Sequence, residues 1–287
     1  MCRLYGFRAN EPTKVECTLV HAQNALLLQS QSDERGRAHP DGWGIGYYEN
    51  DLPVTKKNAK AAFHGFHFSN AAERVYSCAV ISHVRLATVG APSVTNCHPF
   101  RWGGWVCAHN GTVTAIEDLR DEMMSELSES LRFSIRGNTD SELLFLWLME
   151  RFVRSEAADA SECISLERLT EQLAEGIVEI DRRCRVARAE KPAKLNVVLT
   201  DGRVMVASRY RNSLSWVHRD GIRDCEICGI PHVDHSPGKQ YHAVIIASEP
   251  VSNEAWQSIP EMTVVSIDHE VRTTLLPISS TNLGGVA

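Results

Sequence analysis

The chain has no run of about 18 apolar residues, the length a membrane-spanning helix needs, and its start, MCRLYGF, lacks the apolar core of a secretory signal. No Lys/Arg-rich stretch occurs. With a formal net charge of -6 there is no basic footprint for nucleic acid or for an anionic membrane, and neither is expected as a partner. Internal repeats, coiled-coil heptads and low-complexity tracts are also missing. These absences leave a cytoplasmic globular protein as the expectation. Its 287 residues, 43% of them hydrophobic, suffice for a sizeable core.

Cysteine, by contrast, is plentiful. There are nine, an odd number scattered through core-like segments, which without a secretion signal reads as reduced thiols rather than a disulfide framework. Two contexts ask for more than buried filler: Cys2 and the Cys225/Cys228 pair. Removal of Met1 would make Cys2 the amino terminus and leave a thiol and a free α-amine on one residue. An α-amine titrates near ~7.7–8.0 and a thiol near ~8.5, so such a residue is a nucleophile with its own base. The competing reading of Cys2 is a small packed hydrophobe.

Periodicity predicts a strand at RLYGF, a helix over 17–31 with an apolar stripe at Val20, Ala25, Leu27 and Leu28, and strands at GWGIGYY and CAVISHVRLAT. WVCAHNGTV reads as a strand that breaks at Asn110-Gly111, a dipeptide suited to a tight turn. Helices follow over 115–127, 140–155 and 165–184, with Asp140 as a candidate cap. After Pro192 the pattern returns to strands: a hairpin turning at Asp201-Gly202, then SLSWVH, YHAVIIAS and MTVVSID. Strands, helices, then strands again argue for an α+β protein with two sheets around a shared core, read as one domain over 2–287 with a variable loop at about 218–240.

Four stretches set charged or amide groups beside glycine at the ends of apolar strands: HPDGWG at 39–44, SHVRLATVG at 82–90, CHPF through AHNG at 97–111, and GNTDSE at 137–142. Singly, Arg85 could be an ion-pair partner, Asn110-Gly111 a turn and Asp140 a cap. Together with Cys2, in this order and spacing, they resemble the class II glutamine amidotransferases, a family of N-terminal nucleophile hydrolases. The likeness is to the stand-alone YafJ-like and γ-glutamyl amidohydrolase branch, whose members carry DGWGI. It implies a four-layer αββα sandwich of the N-terminal nucleophile hydrolase type.

The resemblance also implies roles. Cys2 would be the nucleophile, its amine the base; Arg85 would clamp a substrate α-carboxylate with Thr88 in support; Asp140 would accept the α-ammonium group. Asn110 and the N–H of Gly111 would form the oxyanion hole. His98 matches a histidine near the pocket in relatives, with a structural role as the equal alternative, and His109 reads as structural. The implied reaction cleaves the γ-glutamyl amide bond of glutamine or a small γ-glutamyl compound through a thioester on Cys2, releases glutamate, and requires no cofactor and no metal.

Other readings stay open: a glutaminase subunit that delivers ammonia to a separate synthase partner, a homo-oligomer, or a catalytically inactive regulatory or zinc-binding relative. CEICGIPHVDH at 225–235 is unabsorbed by any of the implied roles. Cys225, Cys228, His232 and His235 are ligand-type side chains in a C-x2-C-x3-H-x2-H spacing too compact for an ordinary zinc finger. The alternative is a loop bordering the pocket and shaping substrate choice.

Overall fold

The computed structural model describes residues 2–159, 165–187, 192–222, 224–233 and 238–279. Met1 and His235 lie outside them. The strands are β1 (Arg3–Lys14), β2 (Trp43–Glu49), β3 (Leu52–Asn58), β4 (Tyr76–Val84), β5 (Phe100–Trp102), β6 (Trp105–Thr112), β7 (Lys194–Thr200), β8 (Met205–Arg209), β9 (Ser215–Asp220), β10 (His242–Ala247), β11 (Gln257–Ser258), β12 (Thr263–Ile267) and β13 (Thr273–Pro277). The helices are α1 (Leu26–Gln31), α2 (His67–Glu73), α3 (Ile116–Glu126), α4 (Glu129–Arg132), α5 (Asp140–Asp159) and α6 (Leu166–Ala187), with a π-helical turn at Cys17–His21.

Two antiparallel sheets form. The first runs β11-β9-β10-β1-β4-β2-β3 and the second β13-β12-β8-β7-β6-β5. Strands apolar on both faces are explained by what covers them. In β1, Leu4 faces the second sheet and packs in one cluster with Ile81 and Val244 of its own sheet and Val198 of the other, while Tyr5 and Phe7 pack with Leu19, Leu26 and Phe68 beneath the first helical layer. On the other side α5 is buried from Leu143 to Met149, enclosed by α3, α6 and the second sheet, so its helical run is apolar nearly all round. The layers are therefore helix, sheet, sheet, helix: the expected αββα sandwich.

Several local expectations need correction. The 17–31 helix is interrupted, because Ala22 turns extended and Asn24 donates from its N–H to Val251 O and from Nδ2 to Pro250 O. The buried face belongs to Leu19, Ala22, Ala25 and Leu26, so Ala25 of the expected stripe is buried, whereas Leu28 is exposed. The hairpin at 201 closes with four residues, since Thr200 pairs with Met205 and Asp201 Oδ1 accepts the N–H groups of Arg203 and Val204.

The strand at 105–112 does not break at Asn110-Gly111. It pairs through both, with Asn110 opposite Asn196 and Gly111 opposite Leu195. Glycine is needed at 111 for space: a Cβ there would lie 1.7 Å from the Lys194 carbonyl oxygen. Gly44 in β2 has the same logic, with His98 O 2.1 Å from where its Cβ would stand.

Candidate active site

Cys2 immediately precedes β1, whose Arg3 pairs with Val84 at the end of antiparallel β4. That register sets the thiol beside the residues after Val84. Leu86 N–H donates to Cys2 Sγ, and Sγ–H donates to Leu86 O, both at 3.3 Å. Burial pushes the Cys2 thiol above its ordinary pKa and Asp140 adds to this, while the Leu86 N–H and the Arg85 charge pull it back.

Arg85 is only 3% exposed. Its Nη2 donates to Val89 O and Gly90 O at 2.8 Å each, and Nη1 to Ala91 O at 3.4 Å. All three acceptors are neutral backbone carbonyls. Among the described residues no carboxylate lies within 4.0 Å of this buried guanidinium. Thr88, in the same loop, is exposed.

Asp140 was a candidate cap, but Thr139 takes that place, its Oγ1 accepting the Glu142 N–H at 3.1 Å. The Asp140 carboxylate is buried at the head of α5. It accepts the N–H of Val113 at 2.9 Å, just past β6, and the N–H of its neighbour Ser141 at 2.9 Å. No cation lies within 4.0 Å of it among the described residues. Cys2, Arg85 and Asp140 are thus brought within electrostatic reach of one another.

Asn110 reaches the same end from the second sheet. Its Nδ2 donates to Ser248 Oγ at 2.9 Å, and that oxygen also accepts the Leu4 N–H at 3.0 Å, two residues from Cys2. Asn110 Oδ1 is buried without a partner. With the amide turned over, Oδ1 accepts the Ser248 hydroxyl proton and Nδ2 is left with protons for a ligand.

His98 is placed differently. Its ring stacks on His83 at 4.1 Å and meets Phe100 edge-on at 4.6 Å. Burial holds it well below its ordinary pKa, so it is neutral, and among the described residues neither ring nitrogen has a hydrogen-bond partner. His109 bridges Ser141 Oγ and Lys194 O, both at 2.9 Å.

The residue types alone missed three supports. Ser248 orients Asn110; its signal was available, a polar residue closing the apolar run YHAVIIAS, as Arg85 closes β4. Asp33 and Glu249 flank Arg3 at 2.8 and 2.5 Å, and Arg3 Nη1 donates to Cys2 O at 3.2 Å, fixing the start of the chain. No local signal marks this buried cluster, since Arg3 and Glu249 are 246 positions apart. The 225–233 segment does not border this site. It helps line a separate cavity of about 240 Å³ with Thr13, Arg219 and Glu254, and none of Cys2, Arg85, Asn110 or Asp140 lines it.

The profile of the class II glutamine amidotransferases matches residues 1–281. The chain belongs to that family. It is accordingly an enzyme of the N-terminal nucleophile hydrolase type. Similar proteins include the probable glutamine amidotransferase DUG3 of Saccharomyces cerevisiae, 26% identical over 93% of this chain and 82% of that one. A gamma-glutamyl-hercynylcysteine sulfoxide hydrolase of Mycobacterium tuberculosis is 24% identical over 93% of each chain. The fold is that of a glutamine aminotransferase class-II domain protein from Silicibacter pomeroyi, with a TM-score of 0.62, 20% identity and coverage of 97% of this chain and 100% of that one. Among the described residues no helix is long and apolar enough to cross a membrane.

Proposed function

We propose that this amidotransferase hydrolyses the γ-glutamyl amide bond of glutamine or a small γ-glutamyl compound, using Cys2 as its amino-terminal residue. The observation that carries the reading is the buried Arg85 guanidinium, bonded among the described residues only to carbonyls, beside a thiol and a buried carboxylate that likewise has no counter-ion among them. A buried cation without a counter-charge is costly, and a ligand carboxylate would offset that cost through charge-assisted contacts. Asp140 then takes the α-ammonium group of the same ligand. A guanidinium for the carboxylate and a carboxylate for the ammonium group together recognise an α-amino acid. The family relative named as a γ-glutamyl hydrolase supports the substrate class, and the family match over 1–281 supports reading 2–287 as one catalytic domain.

In this mechanism Met1 is first removed and the α-amine of Cys2 takes the thiol proton. The thiolate attacks the γ-carbonyl carbon. Asn110 Nδ2 and the Gly111 N–H hold the oxyanion, and the protonated α-amine gives its proton to the leaving amine. A γ-glutamyl thioester remains on Cys2; water attacks it, the C–S bond breaks, and glutamate leaves.

Intact-mass measurement with and without a glutamine-mimicking diazoketone tests the proposal. The expected result is a chain lacking Met1 that gains one adduct, lost in Cys2→Ala, together with glutamate release from glutamine, glutathione or another γ-glutamyl amide. A chain that retains Met1 and takes no adduct overturns it.

A further inference from the structure

The sequence pattern offered Cys225, Cys228, His232 and His235 as ligands; His235 lies outside the described residues, and among those described the fold brings Cys17 to the other three. Cys17 opens the π-helical turn just after β1, more than 200 positions earlier, and is buried there. The three sulfurs and one His232 nitrogen all lie within 4.8 Å of one another. Cys228 Sγ and His232 Nε2 are 3.1 Å apart. A tetrahedral zinc, ~2.3 Å from sulfur and ~2.0 Å from nitrogen, sets its ligand atoms roughly 3.3–3.8 Å apart, so small side-chain rotations close this set onto one ion. We propose that Cys17, Cys225, Cys228 and His232 form a structural zinc site.

The backbone around the cluster has the form such a site needs. Cys225 O accepts the Gly229 N–H at 2.8 Å, Cys225 N–H donates to Ile230 O at 3.1 Å, and Ile227 N–H points at Cys225 Sγ from 3.4 Å. Gly229, at φ +74°, lets the chain reverse directly after Cys228. An N–H aimed at a sulfur favours thiolate over thiol and is the outer support a metal thiolate uses. The histidine is held independently, with Lys14 N–H donating to His232 O at 3.0 Å and Val233 bridging Thr13.

The segment needs such a staple. From Asp224 to Val233 no residue is fully buried and Ile230 is 61% exposed; the segment's packing on the apolar core is limited to the half-buried Val233. Three sulfurs and an imidazole select a soft ion of tetrahedral preference, and four protein ligands leave no open position for chemistry. The ion would pin residues 224–233 to the turn after β1 and so fix one wall of the 240 Å³ cavity. The site is independent of the proposed reaction at Cys2.

The test is elemental analysis of the full-length purified chain, followed by exchange with cobalt(II) and absorption spectroscopy. Stoichiometric zinc is expected, with cobalt bands of tetrahedral form and sulfur-to-metal charge-transfer intensity for three thiolates. Cys17→Ser should lose the metal, His235→Asn should keep it, and chelation should lower Tm. A chain free of stoichiometric metal, or one with a Cys225–Cys228 disulfide in its place, overturns the proposal. So does full zinc retention in Cys17→Ser. If Cys17→Ser does not fold, the cobalt intensity of the unaltered chain still decides between three thiolates and two.

Discussion

At the residue scale, burial disfavours the charged form of the Cys2 thiol, while the Leu86 N–H and Arg85 favour it. Its reactivity depends on what stands around it, above all on the amide of Asn110 and the hydroxyl that turns that amide. Asn110→Ala should lower kcat by about 10²–10³-fold with little change in KM, since an oxyanion donor acts in the transition state. Ser248→Ala leaves Asn110 in place but free to turn. Its expected loss is about tenfold in kcat, restored in part by Ser248→Thr, which keeps the hydroxyl. Steady-state glutamate release checks both, and unchanged kcat in Ser248→Ala would remove Ser248 from the argument.

At the scale of elements, the end of the sandwich bearing Asn110 is tied to α6 through one fully buried acid. Asp181 accepts Tyr210 OH at 2.8 Å, lies 3.2 Å from Arg185, and is held by both terminal nitrogens of Arg211. The next residue, Asn212, donates from Nδ2 to Asn110 O at 2.8 Å. The chain from Tyr210 to Asn212 therefore joins the outer helix to the strand carrying the oxyanion donor. Asp181→Ala leaves the buried Tyr210 hydroxyl without its acceptor, while the partly exposed Arg211 turns to water, so it should cost about 1–3 kcal/mol of stability, read as a lower urea midpoint. KM of the folded fraction should stay within about twofold. A midpoint matching the unaltered chain would show that Asp181 carries no such load.

For the molecule as a whole, four buried histidines set the response to acid. His39 is lowered to about 4, by burial and then by Arg3. Burial holds His83 and His98 well below the ordinary range, with neighbouring histidines and Arg85 adding to it, and burial also lowers His109 against the pull of Asp140. In the unfolded chain these groups take up protons below about pH 6.5, whereas the folded chain resists doing so. The unfolded state then binds more protons, so stability is fully present above about 6.5 and falls as pH drops toward 4. Tm measured from about pH 7 down to about pH 5 should decline steadily, and less steeply in His83→Gln. A flat profile over that interval would contradict buried neutral histidines.

What the sequence determined by itself was the alternation of apolar strands with apolar helices, and the polar groups closing those strands: Arg85 after β4, Asn110-Gly111 in β6 and Asp140 at the head of α5. Such features are local, written in periods of two and 3.6 and in breaks of hydrophobic runs, so they could be read without coordinates. Turn chemistry misled where tertiary packing overrode it. Asn110-Gly111 looks like a turn, but the carbonyl of Lys194 presses on the strand there, and glycine answers that approach. Only the tertiary structure turned Asn110 toward Ser248, seated Arg3 between Asp33 and Glu249, and brought Cys17 beside Cys225, Cys228 and His232. Each of these joins residues far apart in the chain whose types carry no mark of their partner, and packing of the two sheets and their helices is what makes them neighbours.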